Sequence, residues 1–221
     1  MTITFPTELP AEIDRSEAAM TQFDADTKDH QLTVLHDDGV YRHLLFKTSG
    51  TNMSWYEILT SPGLLTINGD MGTFVFSRVH DMVSFFHGPL DRTTRSRINA
   101  HYWAEKVVAS DGVMAFDKTA FERILIEEFL DATETSGHDT RAALWDDIEW
   151  ELLPIDSLAE AHGVLSEWDN DVMPLAEWYE LDLEVPSFHY LWCCWAIVTG
   201  LARYAALRTP EAPAVSELTP A

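Results

Sequence analysis

The chain has 221 residues, 46% of them hydrophobic, and a formal net charge of −23. This composition is sufficient for one sizeable core, and the charge disfavours general binding to nucleic acid or anionic membranes, which needs clustered Lys and Arg. The adjacent cysteines Cys193 and Cys194 lie in an apolar run, which favours buried thiols in a reducing compartment over a disulfide framework. The first twenty residues show no secretory signal pattern, so we expect a cytoplasmic protein.

Residues 1–30 predict a polar, acidic N-terminal arm that contains one short helix around 11–23. Two apolar runs follow at 31–35 and 41–47, and the Asp-Gly pair between them is typical of a hairpin turn. Residues 55–78 predict three more strands, because turn residues at 61–63 and 68–72 interrupt the apolar runs. Together these segments predict an antiparallel sheet of about five strands over 31–78.

After Arg78 the hydrophobic period moves toward 3.6, which predicts helices. A short helix is expected at 81–87, and Asn99 is expected to cap a helix through about residue 109. Asp117 is a good N-cap for the next helix, and Phe116 and Phe121 match a hydrophobic staple around it.

Three helices of similar design are predicted between residues 117 and 168, each with one apolar and one acidic stripe. The second runs over 140–153, and Ser157 opens the third with a capping box. A short helix is expected around 174–179, a nearly all-apolar helix over 188–208, and a disordered tail over 209–221. The order of strands and then helices predicts an α+β fold, with a single domain over 31–208 whose helical layer packs on one face of the sheet.

The acidity is local. Residues 31–110 contain seven acidic and seven basic residues, whereas residues 111–221 contain 23 acidic and 5 basic residues. Helical spacing places carboxylates roughly 5–6 Å apart along a face, while duplex DNA carries a charge about every 3.4 Å along each strand. The sequence therefore predicts a face that mimics DNA and binds a partner through Glu122, Glu127, Glu128, Asp131, Asp146, Asp147, Glu149 and Glu151. The alternative is an ordinary solvated surface that keeps the protein soluble by repulsion.

Eight tryptophans are many for this length, and most are expected in the core. Trp150, Trp168 and Trp178 lie among carboxylates, where exposed aromatic side chains would mark a binding surface. Packing between the helices is the simpler interpretation of these three residues.

A basic cluster precedes the predicted helix at Asn99 and comprises Arg78, Arg92, Arg95 and Arg97. Arginines beside a helix N-terminus can hold a phosphate or carboxylate, which would make the protein a nucleotide binder. Internal pairing with the acidic helices is the competing interpretation.

No motif for nucleophilic catalysis, phosphate binding or dinucleotide binding is found, so we predict no catalytic residue and no cofactor. His80 with Asp81, and His101 with Glu105 one helical turn later, are the best-placed metal-ligand pairs. Pairs of this kind occur often by chance, so no metal site is predicted.

Short motifs across roughly residues 41–204 resemble a group of uncharacterised proteins encoded by bacteriophages and prophages. The motifs are Trp55-Tyr56, Ser61-Pro62-Gly63, Gly69-Asp70-Met71-Gly72, Val75-Phe76-Ser77-Arg78, Asp81-Met82, Phe85-Phe86, Tyr102-Trp103-Ala104-Glu105-Lys106 and Leu191-Trp192-Cys193-Cys194. The resemblance implies an accessory phage protein that works in the bacterial cytoplasm, and it supplies no residue roles.

The leading hypothesis is a non-enzymatic inhibitor that binds a basic nucleic-acid-binding surface of a host protein, such as a defence nuclease complex. Two alternatives stay open: a nucleotide-binding or nucleotide-processing protein that uses the arginine cluster, and a structural or assembly partner of the phage.

Overall fold

The computed structural model describes residues 4–11, 13–86, 98–175 and 181–208. The chain folds into two compact units. We call residues 14–113 and 186–221 the sheet unit, and residues 1–13 and 114–185 the helical unit. The sequence predicts one domain over 31–208, whereas the structure describes two units that each have a hydrophobic core.

The sheet unit contains six antiparallel strands in the order of the chain, which confirms the predicted α+β class. The strands are β1 (Gln31–Asp38), β2 (Tyr41–Lys47), β3 (Tyr56–Ser61), β4 (Leu64–Gly69), β5 (Gly72–Ser77) and β6 (Val107–Ser110). Alternation along β2 to β5 directs one set of side chains inward, as predicted for Phe74 and Phe76. The buried inner face is formed by Leu44, Phe46, Tyr56, Ile58, Leu65, Ile67, Phe74 and Phe76.

Four helices are described in the sheet unit: α1 (Arg15–Thr27), α2 (Met82–Phe86), α3 (Ala100–Ala104) and α7 (Phe188–Arg208). Helix α7 is apolar on nearly all sides because it contacts both α1 and the sheet. Among the described helices, only α7 is long and apolar enough to cross a membrane, and 67% of its apolar window is buried inside the protein. Core packing therefore accounts for its composition.

The predicted N-terminal arm contains a packed helix. Phe23 of α1 is buried and meets Trp192 of α7 edge-on, with ring centroids 5.1 Å apart. The indole of Trp192 also donates a hydrogen bond to Asp26 (3.1 Å). Residues 15–27 therefore contribute to the core of the sheet unit.

The predicted helix from Asn99 through about residue 109 is wrong in its second half. Asn99 caps α3 as expected, since its side chain accepts a hydrogen bond from the Tyr102 backbone, but α3 ends at Ala104. Val107 and the residues after it form β6, which pairs with β5. β-branched Val107 and Val108 favour a strand, and pairing satisfies the backbone groups of β5 that a helix would leave free.

The helical unit contains α4 (Lys118–Ala132), α5 (His138–Glu151), α6 (Leu158–Glu167) and β7 (Met114–Phe116). β7 pairs with β8 (Glu184–Pro186), whose first two residues belong to the same unit. The predicted caps are confirmed: Asp117 accepts from the Ala120 backbone (2.9 Å) and Ser157 from that of Glu160 (3.3 Å). Its core is built from Phe121, Leu125, Phe129, Leu144, Trp145, Ile148, Leu152, Ile155, Ala161, Leu165, Met173 and Leu183. The predicted tail over 209–221 and most of the predicted helix around 174–179 lie outside the described residues.

Gly69 is fixed by a close approach between backbones at the β4–β5 turn. A Cβ atom at this position would lie 2.2 Å from the carbonyl oxygen of Trp55 and 2.8 Å from the Cα of Tyr56. We expect Gly69→Ala to lower the free energy of unfolding by about 1–3 kcal/mol, because the backbone must move to admit the methyl group. Urea denaturation measures this loss.

Gly163→Ala is the matched control. Gly163 lies within α6, and a Cβ atom there would meet nothing within 4 Å. This exchange should stabilise the protein by about 0.5–1 kcal/mol through helix propensity. Equal effects of the two exchanges would contradict the steric explanation.

His30 makes the stability of the sheet unit sensitive to acid. Burial lowers the pKa of its imidazole, nearby Arg203 lowers it further, and the hydrogen bond to the Ser54 carbonyl offsets only part of this. The unfolded chain therefore takes up a proton first, near pH 6.5, and stability decreases as the pH falls below that value. In His30→Gln the pH dependence between 6.5 and 5 should be weaker than in the natural chain, as measured by urea denaturation at each pH. An unchanged slope would exclude His30 as its source.

Candidate functional site

The negative charge is concentrated in the helical unit. Its residues include 22 acidic and 3 basic side chains, a net charge of −19, whereas the sheet unit has 15 acidic and 11 basic side chains, a net charge of −4. The difference in net charge between the two units therefore matches the difference between the two halves of the sequence.

Helix α4 directs its apolar stripe inward and its carboxylates outward. Phe121, Leu125 and Phe129 are buried, while Glu127, Glu128 and Asp131 are exposed. Glu122 is half-buried and lies 4.0 Å from the amine of Lys118, one helical turn earlier. An exposed pair of this kind contributes little to stability, and the three exposed carboxylates have no ion pair within the described part of the chain.

Helix α5 repeats this arrangement and contacts α4. Leu144, Trp145 and Ile148 are buried, and the four predicted carboxylates of this helix, Asp146, Asp147, Glu149 and Glu151, are all exposed. The structure thus places the eight predicted acidic residues on two neighbouring helices. We call those of the eight predicted carboxylates that are exposed the acidic face; its members are Glu127, Glu128, Asp131, Asp146, Asp147, Glu149 and Glu151.

Trp150 stands in the middle of the α5 part of this face with 84% of its surface exposed. Ala143 and Asp146, seven and four positions earlier, share its side of the helix, opposite the buried stripe. The expectation that Trp150 packs between helices is wrong. Trp168 is partly buried and donates a hydrogen bond to the Met173 carbonyl (2.9 Å), and Trp178 lies outside the described residues.

The predicted arginine cluster is described only at Arg78, which is exposed at the end of β5; Arg92, Arg95 and Arg97 lie outside the described residues. The structure instead shows a polar cavity of about 490 Å³ that the sequence did not predict, lined in part by Arg42, Asp81, Tyr204 and Arg208. The residues that line this cavity come from segments far apart in the sequence, so no local sequence pattern predicts it.

Arg42 has only 10% of its side chain exposed in this cavity, and it forms two hydrogen bonds of 3.0 Å to Asp81. Burial alone would raise the pKa of Asp81, but hydrogen bonds from Arg42 and the Val83 backbone hold that pKa below its usual value. Arg208 is paired in turn with Asp37. Because both guanidinium groups already have carboxylate partners, the cavity is not a ready anion site.

The other sequence candidates for chemistry form no metal-binding group among the described residues. His101 and Glu105 are exposed, and Glu105 pairs with Lys106 (2.9 Å). Cys193 and Cys194 are buried, and burial raises the pKa of the Cys194 thiol to about 12, so it stays protonated at neutral pH. Within the described ranges, no group of three or more His, Cys, Asp or Glu side chains is placed to hold a metal ion.

No protein-family model, no curated protein and no solved structure matches this chain. Functional assignment therefore depends on the site itself.

Two tryptophans of one helix provide a test of the arrangement of α5. Trp145 is 5% exposed and packs against Phe129 (ring centroids 5.1 Å apart), so Trp145→Ala should lower the free energy of unfolding by about 3–5 kcal/mol. Trp150→Ala removes a side chain that is already in water and should change it by less than about 0.5 kcal/mol. Urea denaturation of both variants measures the contrast, and a large loss in Trp150→Ala would place that residue in the core.

Proposed function

We propose that the helical unit binds a positively charged, nucleic-acid-binding surface of another protein and blocks it by imitating nucleic acid. The context we propose is that of a phage accessory protein acting in the bacterial cytoplasm, with a host defence nuclease as the partner class. The single observation that carries the proposal is Trp150, a largely exposed indole within the acidic face.

The charge of the helical unit supports binding to a cationic partner. A net charge of −19 on one unit exceeds the magnitude of about 2–8 that keeps a small domain soluble. Repulsion among these carboxylates destabilises the unit, and a basic partner would relieve it. Carboxylates one helical turn apart also approach the charge spacing of a nucleic-acid backbone.

Trp150 distinguishes binding from mere solubility. A surface that serves only to keep a protein soluble has no use for an exposed indole, which favours association. Tryptophan is enriched among residues that dominate interface energies, and its ring attracts the guanidinium of arginine. With Asp146, Asp147, Glu149 and Glu151 in the same segment, α5 offers an arginine both a ring face and carboxylates.

The nucleotide-binding alternative has no such support in the described residues. Arg78 is exposed, and Arg42 and Arg208 are already paired with carboxylates. A role as a phage assembly partner would use the same acidic face. Only the identity of the bound protein, a virion protein or a host nuclease, would distinguish that role from the one proposed.

The test measures displacement of labelled duplex DNA from a panel of bacterial restriction and RNA-guided nucleases by the full chain. The variant carries Asp146→Lys, Asp147→Lys and Glu149→Lys on α5. The control carries Asp24→Lys, Asp29→Lys and Asp38→Lys, three exposed positions of the sheet unit, and has the same net charge. We expect the α5 variant to lose at least tenfold in inhibition and the control to retain it.

Trp150→Ala separates the indole from the charge. If the indole anchors the partner, inhibition should weaken by about 30-fold, the effect of a 2 kcal/mol hot spot. Equal inhibition by the natural chain and both lysine variants would remove the acidic face from the mechanism. If the chain displaces DNA from none of the nucleases in the panel, this partner class is refuted.

A further inference from the structure

A β-bulge in the first strand brings two histidines together on the outer face of the sheet. Val34 pairs with Leu44, and the register then shifts so that His36 pairs with His43. The extra residue is Leu35, which is 52% exposed. In a regular ladder Leu35 would stand opposite His43, and His36 would point to the inner face.

The residues after the bulge show that the side chains have exchanged faces of the sheet. Asp37 now pairs with Arg42 and lies on the inner side, where it accepts a hydrogen bond of 2.8 Å from the hydroxyl of Tyr204 on α7. Residues directly opposite each other in an antiparallel pair share a face, with Cβ atoms roughly 4.5–5.5 Å apart. His36 and His43 are therefore neighbours on the outer face.

A chain of hydrogen bonds across four strands orients His43. Thr73 of β5 donates to Asn68 of β4 (2.8 Å), and the Asn68 amide donates to Glu57 of β3 (3.0 Å). The other oxygen of Glu57 lies 2.7 Å from Nε2 of His43. An ionised carboxylate only accepts hydrogen bonds, so Nε2 carries the proton and the lone pair of the neutral ring is on Nδ1.

Both histidines line one open cavity of about 470 Å³, together with Tyr41, Ser61 and Leu64. No hydrogen bond from the described residues occupies Nδ1 of His43 or either ring nitrogen of His36. The cavity thus contains two imidazoles whose acceptor nitrogens are free, side by side on neighbouring strands. The arginine that also lines it, Arg42, is held by Asp81 on the other side of the sheet.

We propose that His36 and His43 bind a transition-metal dication of the zinc class, with Glu57 as the carboxylate that orients the second imidazole. Histidines that ligate metals commonly donate their other ring N–H to a carboxylate, which fixes the ring and raises its basicity. Zn–N bonds of about 2.0–2.1 Å place two ligand nitrogens about 3.3 Å apart, a separation that cross-strand neighbours can reach.

Imidazole ligands select zinc, copper or nickel over the oxygen-preferring magnesium and calcium. With two protein ligands, the remaining coordination positions belong to water or to a ligand in the cavity. The site is therefore open, and it lies in the sheet unit, so it does not depend on the acidic face or on the function proposed for it.

The test titrates Zn²⁺ into the full chain at pH 7.5 by calorimetry. His36→Gln and His43→Gln should each weaken binding at this site by at least tenfold, and Glu57→Gln, which keeps the size of the side chain, by 10–100-fold. The control is His101→Gln, an exposed histidine of the same unit, which should bind as the natural chain does.

NMR spectra of the imidazoles in the natural chain give a second measurement that does not depend on the folding of any variant. Zn²⁺ should perturb the rings of His36 and His43 first, and Mg²⁺ should leave them unchanged. The proposal is overturned if the natural chain does not bind Zn²⁺, if the His36 and His43 variants bind it equally well, or if other histidines respond instead.

Discussion

The sheet unit depends on the burial of α7 against the inner face of the sheet. Tyr56 lies at the centre of this contact, stacked on Phe46 with ring centroids 4.5 Å apart and meeting Trp192 edge-on at 5.7 Å. Gly200 lets the helix approach closely, since a Cβ atom there would lie 2.9 Å from the side chain of Ile58. α1 closes the other side through Phe23. The segments that make this contact are far apart in the chain, so the strands, α1 and the C-terminal helix stabilise one another.

The two units divide the physical tasks of the chain. The sheet unit has a net charge of only −4 and contains defined ion pairs, such as Arg42 with Asp81 and Arg208 with Asp37. In the helical unit most of the described carboxylates are exposed to water and form no such pairs. Their mutual repulsion destabilises the unit. Its own hydrophobic core, built around Phe121, Phe129 and Trp145, offsets that cost.

One inserted residue in β1 determines which side chains lie on the inner and outer faces at this edge of the sheet. Because Leu35 is the extra residue, Asp37 reaches Tyr204 and Arg208 on the inner side while His36 joins His43 outside. A regular strand would reverse both assignments. Bulges often re-aim side chains beside functional sites, and here the re-aimed histidine meets the imidazole that Glu57 already orients.

The sequence alone determined the features that depend on local periodicity and capping: the hairpins, the inward Phe74 and Phe76, the caps at Asp117 and Ser157, and the outward carboxylates of α4 and α5. It failed where distant pairing decides the outcome. Val107 joins a strand because β5 offers a free edge. The bulge at Leu35 and the ladder from Thr73 to His43 arise only from strand register, which sets neighbours that no single segment of the sequence records.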